Sequence, residues 1–547
     1  MTPSPLVPTW LSLTLLFSAY SCCKILLIPS YRSTDFDVHR NWLAITRNLP
    51  VKEWYYDDVN GTTVHTLDYP PTFAYWEFFL SKNPLTQYLL DANLLDERCL
   101  QLLPDSDNAP STNCVIFHRS TVIISDIVLW WGAWVMAAGS AAGSTQTQLE
   151  SLPTSFLLTV MNPGLLWLDH IHFQYNGLLI GLLLASLGYL MQANKNLKDQ
   201  QSFHTSHWKA AVLFALLLTM KHLFLTLAPF YLVYLFRRYC LQKAPTLSSS
   251  QQPESNITPP PQFHPRHLVT LGAYTATTLL VPFLPFLKQM PQLLSRLFPF
   301  GRGLVHDYWA ANIWALYSFV EKIAGMIGFS LPPIPASVCA FLLFLSLLPG
   351  LYWGAWKAAA EHDNQRMLVT VVYSAMSSFQ LGFHVHEKAI LNAIIPMTFV
   401  VFSSCEGSSG AFGSIDAGPH HTSKRMATLR ILYLQMTALG LLGIFPLLFR
   451  PAELPLKIAS YVAYMALCYH VLVERDKTVF QGFGGTGRIQ MELVPLATMA
   501  LAIVVMLEVV PVAAYGKLEF LPLLVTSVGC AVGLIVTWLR LLLWLMS

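Results

Sequence analysis

Apolar runs long enough to cross a membrane recur from one end of this chain to the other. A run of about 18 or more apolar residues predicts a transmembrane helix, and the pattern here predicts roughly fourteen of them. The spans lie near 6–28, 115–138, 152–168, 174–191, 208–220, 223–236, 268–287, 335–353, 367–383, 389–404, 427–449, 457–473, 491–511 and 518–540. We therefore expect an all-α polytopic membrane protein.

The spans predict one integral membrane domain over residues 1–547. Its parts are a first span within 1–29, a polar loop over 30–114 that we expect to carry in-plane helices, and a helical bundle over 115–547. Lys221 and His222 interrupt the apolar stretch 208–236. Because a charged pair at mid-membrane is costly, we predict a helix break at this pair.

Composition agrees with this pattern and excludes other classes. The chain is 54% hydrophobic and 12% charged, with a mean hydropathy of +0.48, whereas soluble domains are about 25% charged. The net charge is only +3, and no basic cluster interleaved with aromatic residues indicates nucleic-acid binding. The first apolar run has no basic region before it, so we expect an uncleaved span rather than a signal peptide.

Lysine and arginine in the short connections set the predicted orientation. Their bias favours cytosolic termini, with the loop 30–114 and the turns near 169–176, 288–334 and 384–388 together on the lumenal side. Two Ser-, Pro- or Gly-rich stretches, 242–265 and 406–423, are predicted to be disordered cytosolic linkers.

The lumenal loop also carries two candidate modification sites. Cys99 and Cys114 both lie in this loop, and an oxidising lumen would permit a disulfide between them. The sequon at Asn60 is a candidate N-glycosylation site. The other cysteines show no metal-ligand spacing.

Two carboxylates, Asp35 and Asp37, follow the first span directly. In a helix their side chains point about 200° apart, so only one of them need be chemically central. The alternative is structural: Ser33 and the two acids would cap an in-plane helix whose apolar positions, including Phe36, lie on the bilayer. The residues alone leave these readings equally open.

Three further clusters bring polar groups to the predicted lumenal edge. Asp68 and Tyr69 precede two prolines that fix a turn. The segment 169–176 holds His170, His172 and Gln174, and the segment 384–388 holds two histidines and a lysine. Interfacial anchoring explains such residues too, and a zinc site lacks a further ligand at helical spacing. A last patch, 302–309, adds one arginine, a histidine and two aromatic rings.

Four of these segments together resemble a known family. Residues 33–46, 67–71, 170–177 and 384–391 are similar to the endoplasmic reticulum glucosyltransferases that use dolichyl-phosphate glucose. Within that family, Val38, His39, Asn41 and the stretch 302–317 resemble the enzymes that add the second glucose to the lipid-linked oligosaccharide. The chain departs from the family at Asp37, where glutamate is usual.

The resemblance implies a GT-C membrane fold and an inverting transfer of glucose that forms an α-1,3 bond. It implies Asp35 as general base, with support from Asp37, and no cofactor or obligatory metal. Donor contacts are expected from His386, Lys388, His384 and Arg302. Contacts to sugar or acceptor are expected from Asp68, Tyr69, His39, Arg40, His170, His172 and Gln174. The implied partners are dolichyl-phosphate glucose, a dolichyl-pyrophosphate oligosaccharide and membrane lipid, with no nucleic acid.

Three alternatives remain at this point. A sister enzyme of the same family adds the first glucose instead of the second. Composition alone also permits a secondary transporter, although transporters gather ionisable groups at mid-membrane in repeated halves, which this sequence lacks. A non-catalytic assembly subunit is the third alternative.

Overall fold

The computed structural model describes residues 9–56, 65–102, 109–140, 153–195, 199–242, 261–301, 303–306, 309–406, 419–448, 450–474 and 521–547. Within these ranges the α-helices are α1 Thr9–Leu26, α2 Thr34–Asn48, α3 Pro71–Lys82, α4 Pro84–Asp91, α5 Thr112–Ser140, α6 Thr154–Val160, α7 Pro163–Leu165, α8 Asn176–Lys195, α9 Gln200–Met220, α10 Ala228–Leu235, α11 Pro265–Leu280, α12 Met290–Leu297, α13 Ile313–Met326, α14 Ala336–Pro349, α15 Lys357–Glu361, α16 Asn364–Leu381, α17 Leu391–Glu406, α18 Pro419–Ile444, α19 Leu454–Tyr469 and α20 Leu521–Met546.

Tighter and wider helical turns extend or join these helices. The 3₁₀ segments are Val51–Glu53, Glu97–Leu100, His222–Leu227, Val281–Gln289, Glu387–Ile390, Phe445–Leu447 and Pro451–Glu453. The π-helical segments are Leu166–Phe173, Phe236–Cys240, Gly350–Trp356 and His470–Glu474. The two described strands, β1 Leu241–Gln242 and β2 Gln262–Phe263, form one short antiparallel pair.

Seven helices among the described residues are long and apolar enough to cross a membrane. They are Thr112–Ser140, Asn176–Lys195, Pro265–Leu297, Ala336–Glu361, Lys424–Leu447, Pro451–Val473 and Leu521–Met546. The chain is thus a mostly helical, multi-pass membrane protein. The predicted span at 491–511 lies outside the described residues.

The break predicted at Lys221 and His222 is confirmed. Helix α9 ends at Met220, Lys221 takes an extended backbone conformation, and a 3₁₀ turn begins at His222. The break brings the ammonium group of Lys221 against the ring of Tyr69, 4.9 Å from its centroid, so the charge has a partner in the first loop.

Some predicted boundaries were wrong. The stretch near 169–176 is not a simple turn, because Leu166–Phe173 continue helically in a π-helical segment. The stretch 288–334 includes α12 and the whole of α13. The linker 406–423 overlaps α18, which begins at Pro419, a residue suited to the first helical turn. The two ends of the linker 242–265 are joined, because strand β2 at Gln262–Phe263 pairs with strand β1 at Leu241–Gln242.

Helices α5 and α8 pack closely against each other. A Cβ atom added at Gly132 would lie 1.9 Å from the carbonyl oxygen of Gly181, and one at Gly139 would lie 2.7 Å from that of Gly188. The two glycines on each helix are seven residues apart and therefore share a face. Small residues on that face let the two backbones approach, as is common in membrane helices.

The first loop is built against this bundle. Helix α2 buries Phe36, Leu43 and Ile45 within the protein, so the structural alternative, in which these apolar positions lie on the bilayer, was wrong in that respect. A disulfide joins Cys99, in the 3₁₀ turn after α4, to Cys114 in the first turn of α5. It links the end of the loop to a membrane helix and limits how far the loop can move from the bundle.

Candidate active site

Asp35 is the centre of a group of polar side chains drawn from three distant segments. Its Oδ2 atom lies 2.7 Å from the ammonium nitrogen of Lys388 and 3.3 Å from Nε2 of His172, and it accepts a hydrogen bond from the side-chain amide of Gln174. The Asp35 side chain is 26% exposed. The structure therefore joins residues that the sequence analysis placed in separate clusters, and leaves one carboxylate accessible.

Electrostatics fix the charge of this carboxylate. Burial by itself raises the pKa of Asp35, but the Lys388 ammonium and the hydrogen bond from His172 outweigh it and hold the pKa well below the usual range. Burial lowers the pKa of His172, so this ring is neutral and donates through Nε2. Asp35 is thus an ionised hydrogen-bond acceptor at neutral pH.

The position of Lys388 follows from an unusual turn at the end of α16. His384 has a left-handed backbone (φ 53°), which non-glycine residues adopt rarely. Its amide donates to the carbonyl of Leu304 at 3.0 Å, and its Nδ1 lies 2.8 Å from the carbonyl oxygen of Gly303. These contacts hold the turn in place, and the 3₁₀ segment Glu387–Ile390 then points Lys388 at Asp35.

Glu387 is a functional candidate that the sequence analysis left without a role. Its side chain is buried, and within the described part of the chain neither carboxylate oxygen has a hydrogen-bond partner. Burial raises the pKa of Glu387 to about 7, against the opposing effect of Lys388. A buried acid beside Lys388 with unused oxygen atoms suits hydroxyl groups of a bound ligand.

A hydrogen-bonded chain extends from Asp35 into the bundle. The Gln174 side-chain oxygen accepts from Asn176 at 2.9 Å, and the same Asn176 amide donates to Asp169 at 2.8 Å. Asp169 also accepts from the backbone amides of Asn176 and Gly177 at 3.1 and 2.6 Å, which caps the start of α8. Burial raises the pKa of Asp169 to about 7. The chain fixes the orientation of Gln174 toward Asp35.

Asp37 lies on the same first turn of α2 but points elsewhere. Its carboxylate is 46% exposed and lies 3.9 Å from the guanidinium of Arg40, one turn later. Ser33, at the N-cap, makes no side-chain capping bond and instead donates to the carbonyl of His172. The helical geometry therefore separates the two acids, and Ser33 links α2 to the π-helical segment.

His39 and His170 are directed into the protein, contrary to the expectation of direct sugar contacts. His39 Nδ1 lies 2.8 Å from the buried carboxylate of Glu77 on α3, and the ring packs on Trp42. His170 Nε2 lies 3.0 Å from Asp126 of α5. Both histidines are at most 4% exposed, so their side chains connect helices.

Asp68 and Tyr69 flank the group around Asp35. Tyr69 packs on Trp42 and Phe73, and its carbonyl accepts from the hydroxyl of Tyr55 at 2.8 Å. Burial, together with repulsion from Lys388, lowers the pKa of Lys221 to about 8, although Asp35, Asp169 and Asp68 oppose this. Lys221 is therefore a second cation beside the site, and the helix break was its only sequence signal.

Arg119 is a positioning residue that the sequence analysis did not identify. Its buried guanidinium, on α5, donates to the carbonyls of Tyr31 and Ile171 at 2.7 and 2.9 Å and also to that of His170. These bonds tie the chain just before α2 to the π-helical segment. An arginine inside a predicted span was the available signal, because such residues rarely face lipid.

Three histidines beside Lys388 have a geometry that could hold a metal ion. His306, His384 and His386 each offer a ring nitrogen, and these atoms lie within 4.8 Å of one another. The rings of His306 and His386 are 4.2 Å apart. Burial and the neighbouring charge of Lys388 hold the pKa of His386 well below its usual value. Neutral imidazoles can bind a metal or donate hydrogen bonds to a phosphate.

Arg302, a predicted donor contact, and Asn60, the candidate glycosylation site, lie outside the described residues.

The sequence profile of the ALG6, ALG8 glycosyltransferase family matches residues 20–415 and 420–541. A Drosophila melanogaster protein described as a probable dolichyl pyrophosphate Glc1Man9GlcNAc2 alpha-1,3-glucosyltransferase is 36% identical, covering 94% of this chain and 90% of its own. Proteins of the same name, without the qualifier, are 34% identical in Mus musculus (95% and 92% covered) and 30% identical in Saccharomyces cerevisiae (95% and 89%). The similarity thus includes every segment that contributes to the group around Asp35.

Proposed function

Because the chain belongs to the ALG6, ALG8 glycosyltransferase family, we propose that it transfers glucose to Glc1Man9GlcNAc2 linked to dolichyl pyrophosphate, forming an α-1,3 bond. The activity for which the relatives from insect, mammal and yeast are named supports this substrate. The observation that carries the proposal is the accessible Asp35 carboxylate, held ionised by Lys388.

The proposed donor is dolichyl-phosphate glucose, and the transfer inverts the anomeric carbon. An acceptor hydroxyl oxygen attacks that carbon, its bond to the phosphate oxygen breaks, and dolichyl phosphate leaves with the bonding electrons. Asp35 takes the hydroxyl proton as general base. A phosphate leaving group needs no proton from the enzyme, unlike the leaving group of an inverting glycosidase.

Lys388 has two roles in this proposal. In the substrate-free chain its ammonium pairs with Asp35. When the donor binds, the phosphate shares this ammonium, so negative charge developing on the leaving group is stabilised. Sharing the ammonium with the phosphate weakens the attraction between Lys388 and the Asp35 carboxylate. The carboxylate thereby becomes a stronger base. Donor binding and activation of the base are therefore coupled through one side chain.

The three histidines and Arg302 complete the proposed donor site. His384 and His386 lie close to Lys388 in sequence and, with His306, form a cluster of ring nitrogens that can donate to phosphate oxygens. We assign these residues to phosphate rather than to an obligatory metal. Excess chelator should therefore leave turnover unchanged, and a loss restored by one added divalent metal would reverse that assignment.

The proposed sugar contacts come from polar side chains around Asp35. Asp68, Tyr69, Arg40, His172 and Gln174 serve this role, and Asp37 supports Arg40. We assign His39 and His170 to positioning, because each is paired to a buried carboxylate. Glu387 joins the site as a partner for sugar hydroxyls.

The finer architecture is part of the same proposal. It comprises a GT-C fold with about fourteen spans, residence in the endoplasmic reticulum membrane, a lumenal active site and cytosolic termini. The positive charges in the short connections support this orientation. The location of the Cys99–Cys114 disulfide in the first loop is also consistent with a lumenal loop.

The test is a transfer assay with the purified full chain, synthetic dolichyl-phosphate glucose and two acceptors, one with and one without the first glucose. The proposal expects a product one hexose heavier from the glucosylated acceptor alone. Consumption of the unglucosylated acceptor would instead identify the sister activity. No product from either acceptor, with the protein folded, would contradict the proposed function.

A further inference from the structure

A basic pocket lies between the start of the membrane-spanning part of α18 and the end of α20. It has a volume of about 270 Å³. Three cations, an indole ring and two hydroxyl-bearing side chains line it, and none of the described lining residues is acidic; they are Lys424, Arg425, Arg540, Trp544, Thr428 and Ser547. Such a lining favours an anion.

One wall of the pocket is held rigidly. The Arg425 guanidinium lies over the Trp544 ring, 4.3 Å from its centroid, and donates to the Trp544 carbonyl at 3.4 Å. The Trp544 indole N–H donates back to the carbonyl of Arg425 at 3.2 Å. These three contacts join α18 to α20 and present the cation in a fixed orientation, which lowers the entropic cost of binding a ligand.

The helix dipoles do not explain all three cations. Arg540 lies near the C-terminal end of α20, where positive charge is favourable, whereas Arg425 directly follows Lys424 near the start of α18. Lys424, however, lies near the N-terminal end of α18, where the helix dipole is itself positive. Lys424 is exposed at this end. Three cations that line one opening attract a negatively charged group.

The bounds of the two neighbouring spans predict that the pocket lies at the depth of lipid headgroups. Lys424–Leu447 and Leu521–Met546 are both candidate membrane spans, and the pocket lies where the first begins and the second ends. Tryptophan and arginine are typical of this boundary. The sequence predicts that this end faces the cytosol, the leaflet in which anionic lipids are enriched.

An exposed apolar ridge continues from the pocket toward the bilayer centre. Leu543, which lines the pocket, is 64% exposed. The ridge continues along α20 through Leu539, Val536 and Val532, which are 46%, 43% and 54% exposed. Their spacing of three or four residues places them on one helix face. A free anion would have no use for this ridge, whereas an acyl chain would lie along it.

We propose that this pocket binds an anionic glycerophospholipid, with its headgroup phosphate between Lys424, Arg425 and Arg540 and an acyl chain along the ridge of α20. The site is separate from the group around Asp35 and independent of the proposed reaction. Bound lipid would hold the start of α18 against the end of α20. In this region the two helices are also joined by the contacts between Arg425 and Trp544.

The experiment uses the purified, delipidated full chain and measures lipid retained by native mass spectrometry, together with the shift in Tm. The probes are phosphatidylinositol phosphate, phosphatidylcholine and the water-soluble inositol phosphate headgroup. We expect phosphatidylinositol phosphate to be retained and to raise Tm. Phosphatidylcholine and the soluble headgroup should neither be retained nor raise Tm. In the variant Lys424→Gln/Arg540→Gln, retention should fall roughly twenty-five-fold, since each cation near a membrane surface contributes about fivefold.

Lys322→Gln is the matched control. It removes an exposed cation that also lies over a tryptophan, 5.0 Å from the Trp309 ring, but away from the pocket, and retention should be unchanged. Equal retention of phosphatidylinositol phosphate by wild type and the double variant would overturn the proposal. Binding of the soluble headgroup as tight as that of the lipid would overturn the lipid assignment in favour of a simple anion site. A conservative variant, Lys424→Arg/Arg540→Lys, checks folding and should retain the lipid.

Discussion

Two aspartates in this protein have the same kinds of partner and different surroundings. Asp35 contacts Lys388 and His172, and Asp126 contacts Lys24 and His170. The two histidines lie two residues apart on one π-helical segment, but His172 contacts Asp35 and His170 contacts Asp126. The difference is access: Asp35 is 26% exposed, whereas Asp126 is 2% exposed. The first group can meet a substrate, and the second holds α1, α5 and the π-helical segment together.

This comparison teaches that residue type does not identify a reactive acid. A buried pair that loses one partner leaves an uncompensated charge and destabilises the fold. A half-open pair can exchange its partner for a ligand. Variants of the two groups should therefore separate activity from stability, and the following predictions run from the largest expected effect to the smallest.

Asp35→Asn should lower kcat by roughly 10³-fold, because the amide cannot accept the acceptor proton and general base catalysis contributes about 10²–10⁴-fold. Tm should change little, since the side chain is partly exposed. The measurement is turnover of the glucosylated acceptor at matched protein amounts. Asp91→Asn, on an exposed surface of the same loop, is the control and should behave as wild type. Near-normal turnover by Asp35→Asn would remove this residue as the base.

Asp126→Asn should show the reverse behaviour. Loss of one member of a buried ion pair destabilises a fold by about 3–5 kcal/mol, so Tm and expression should fall clearly. The folded fraction should keep wild-type kcat at low temperature, because Asp126 does not face the opening beside Asp35. Quantifying activity per folded molecule separates the two effects. A large loss of kcat without loss of Tm would break the comparison.

Lys388→Gln should lower kcat/KM for the donor by about 10²-fold, the usual effect of removing one group that stabilises developing negative charge. The corresponding change in the buried group, Lys24→Gln, should lower Tm and leave KM for the donor unchanged. Steady-state kinetics over a donor titration measure both. An unchanged donor KM and kcat in Lys388→Gln would exclude this lysine from the phosphate site.

The two histidines give the finest comparison. His172→Gln should reduce kcat about tenfold, the value of one hydrogen bond to a charged group, without a change in Tm. His170→Gln should lower Tm and spare kcat, because it removes the bond to Asp126. Measuring both values for both variants tests the assignment. If the two variants behave alike, the separation of the two groups is wrong.

Much of the fold and part of the site followed from the sequence. Hydropathy predicted a multi-pass helical protein, and Lys221 with His222 predicted a helix break. The clusters at Asp35, 169–176 and 384–388 were expected on one face, and the structure brings Asp35, His172, Gln174 and Lys388 together. The bias of lysine and arginine among the connections predicts which loops share one side of the membrane. Short connections also keep consecutive helix ends close together.

The rest depended on tertiary contacts. His170 and His172 are indistinguishable in the sequence, and only the π-helical turn directs them to different carboxylates. Lys24 lies at the end of an apolar run, and nothing local shows that it pairs with Asp126, 102 residues away. The roles of Glu387 and Arg119 depend on the burial of their side chains, which the sequence does not show. Pairing across long sequence separations leaves no local pattern to read.

The pH dependence of kcat/KM tests most directly whether Asp35, paired with Lys388, is the reacting base. The low pKa of Asp35 keeps the carboxylate ionised as the pH falls, so the wild-type acid limb should lie below the usual aspartate value of about 3.9. Removing the cation in Lys388→Gln raises that pKa, and the limb should move to higher pH. An acid limb at the same pH in both proteins would contradict the account.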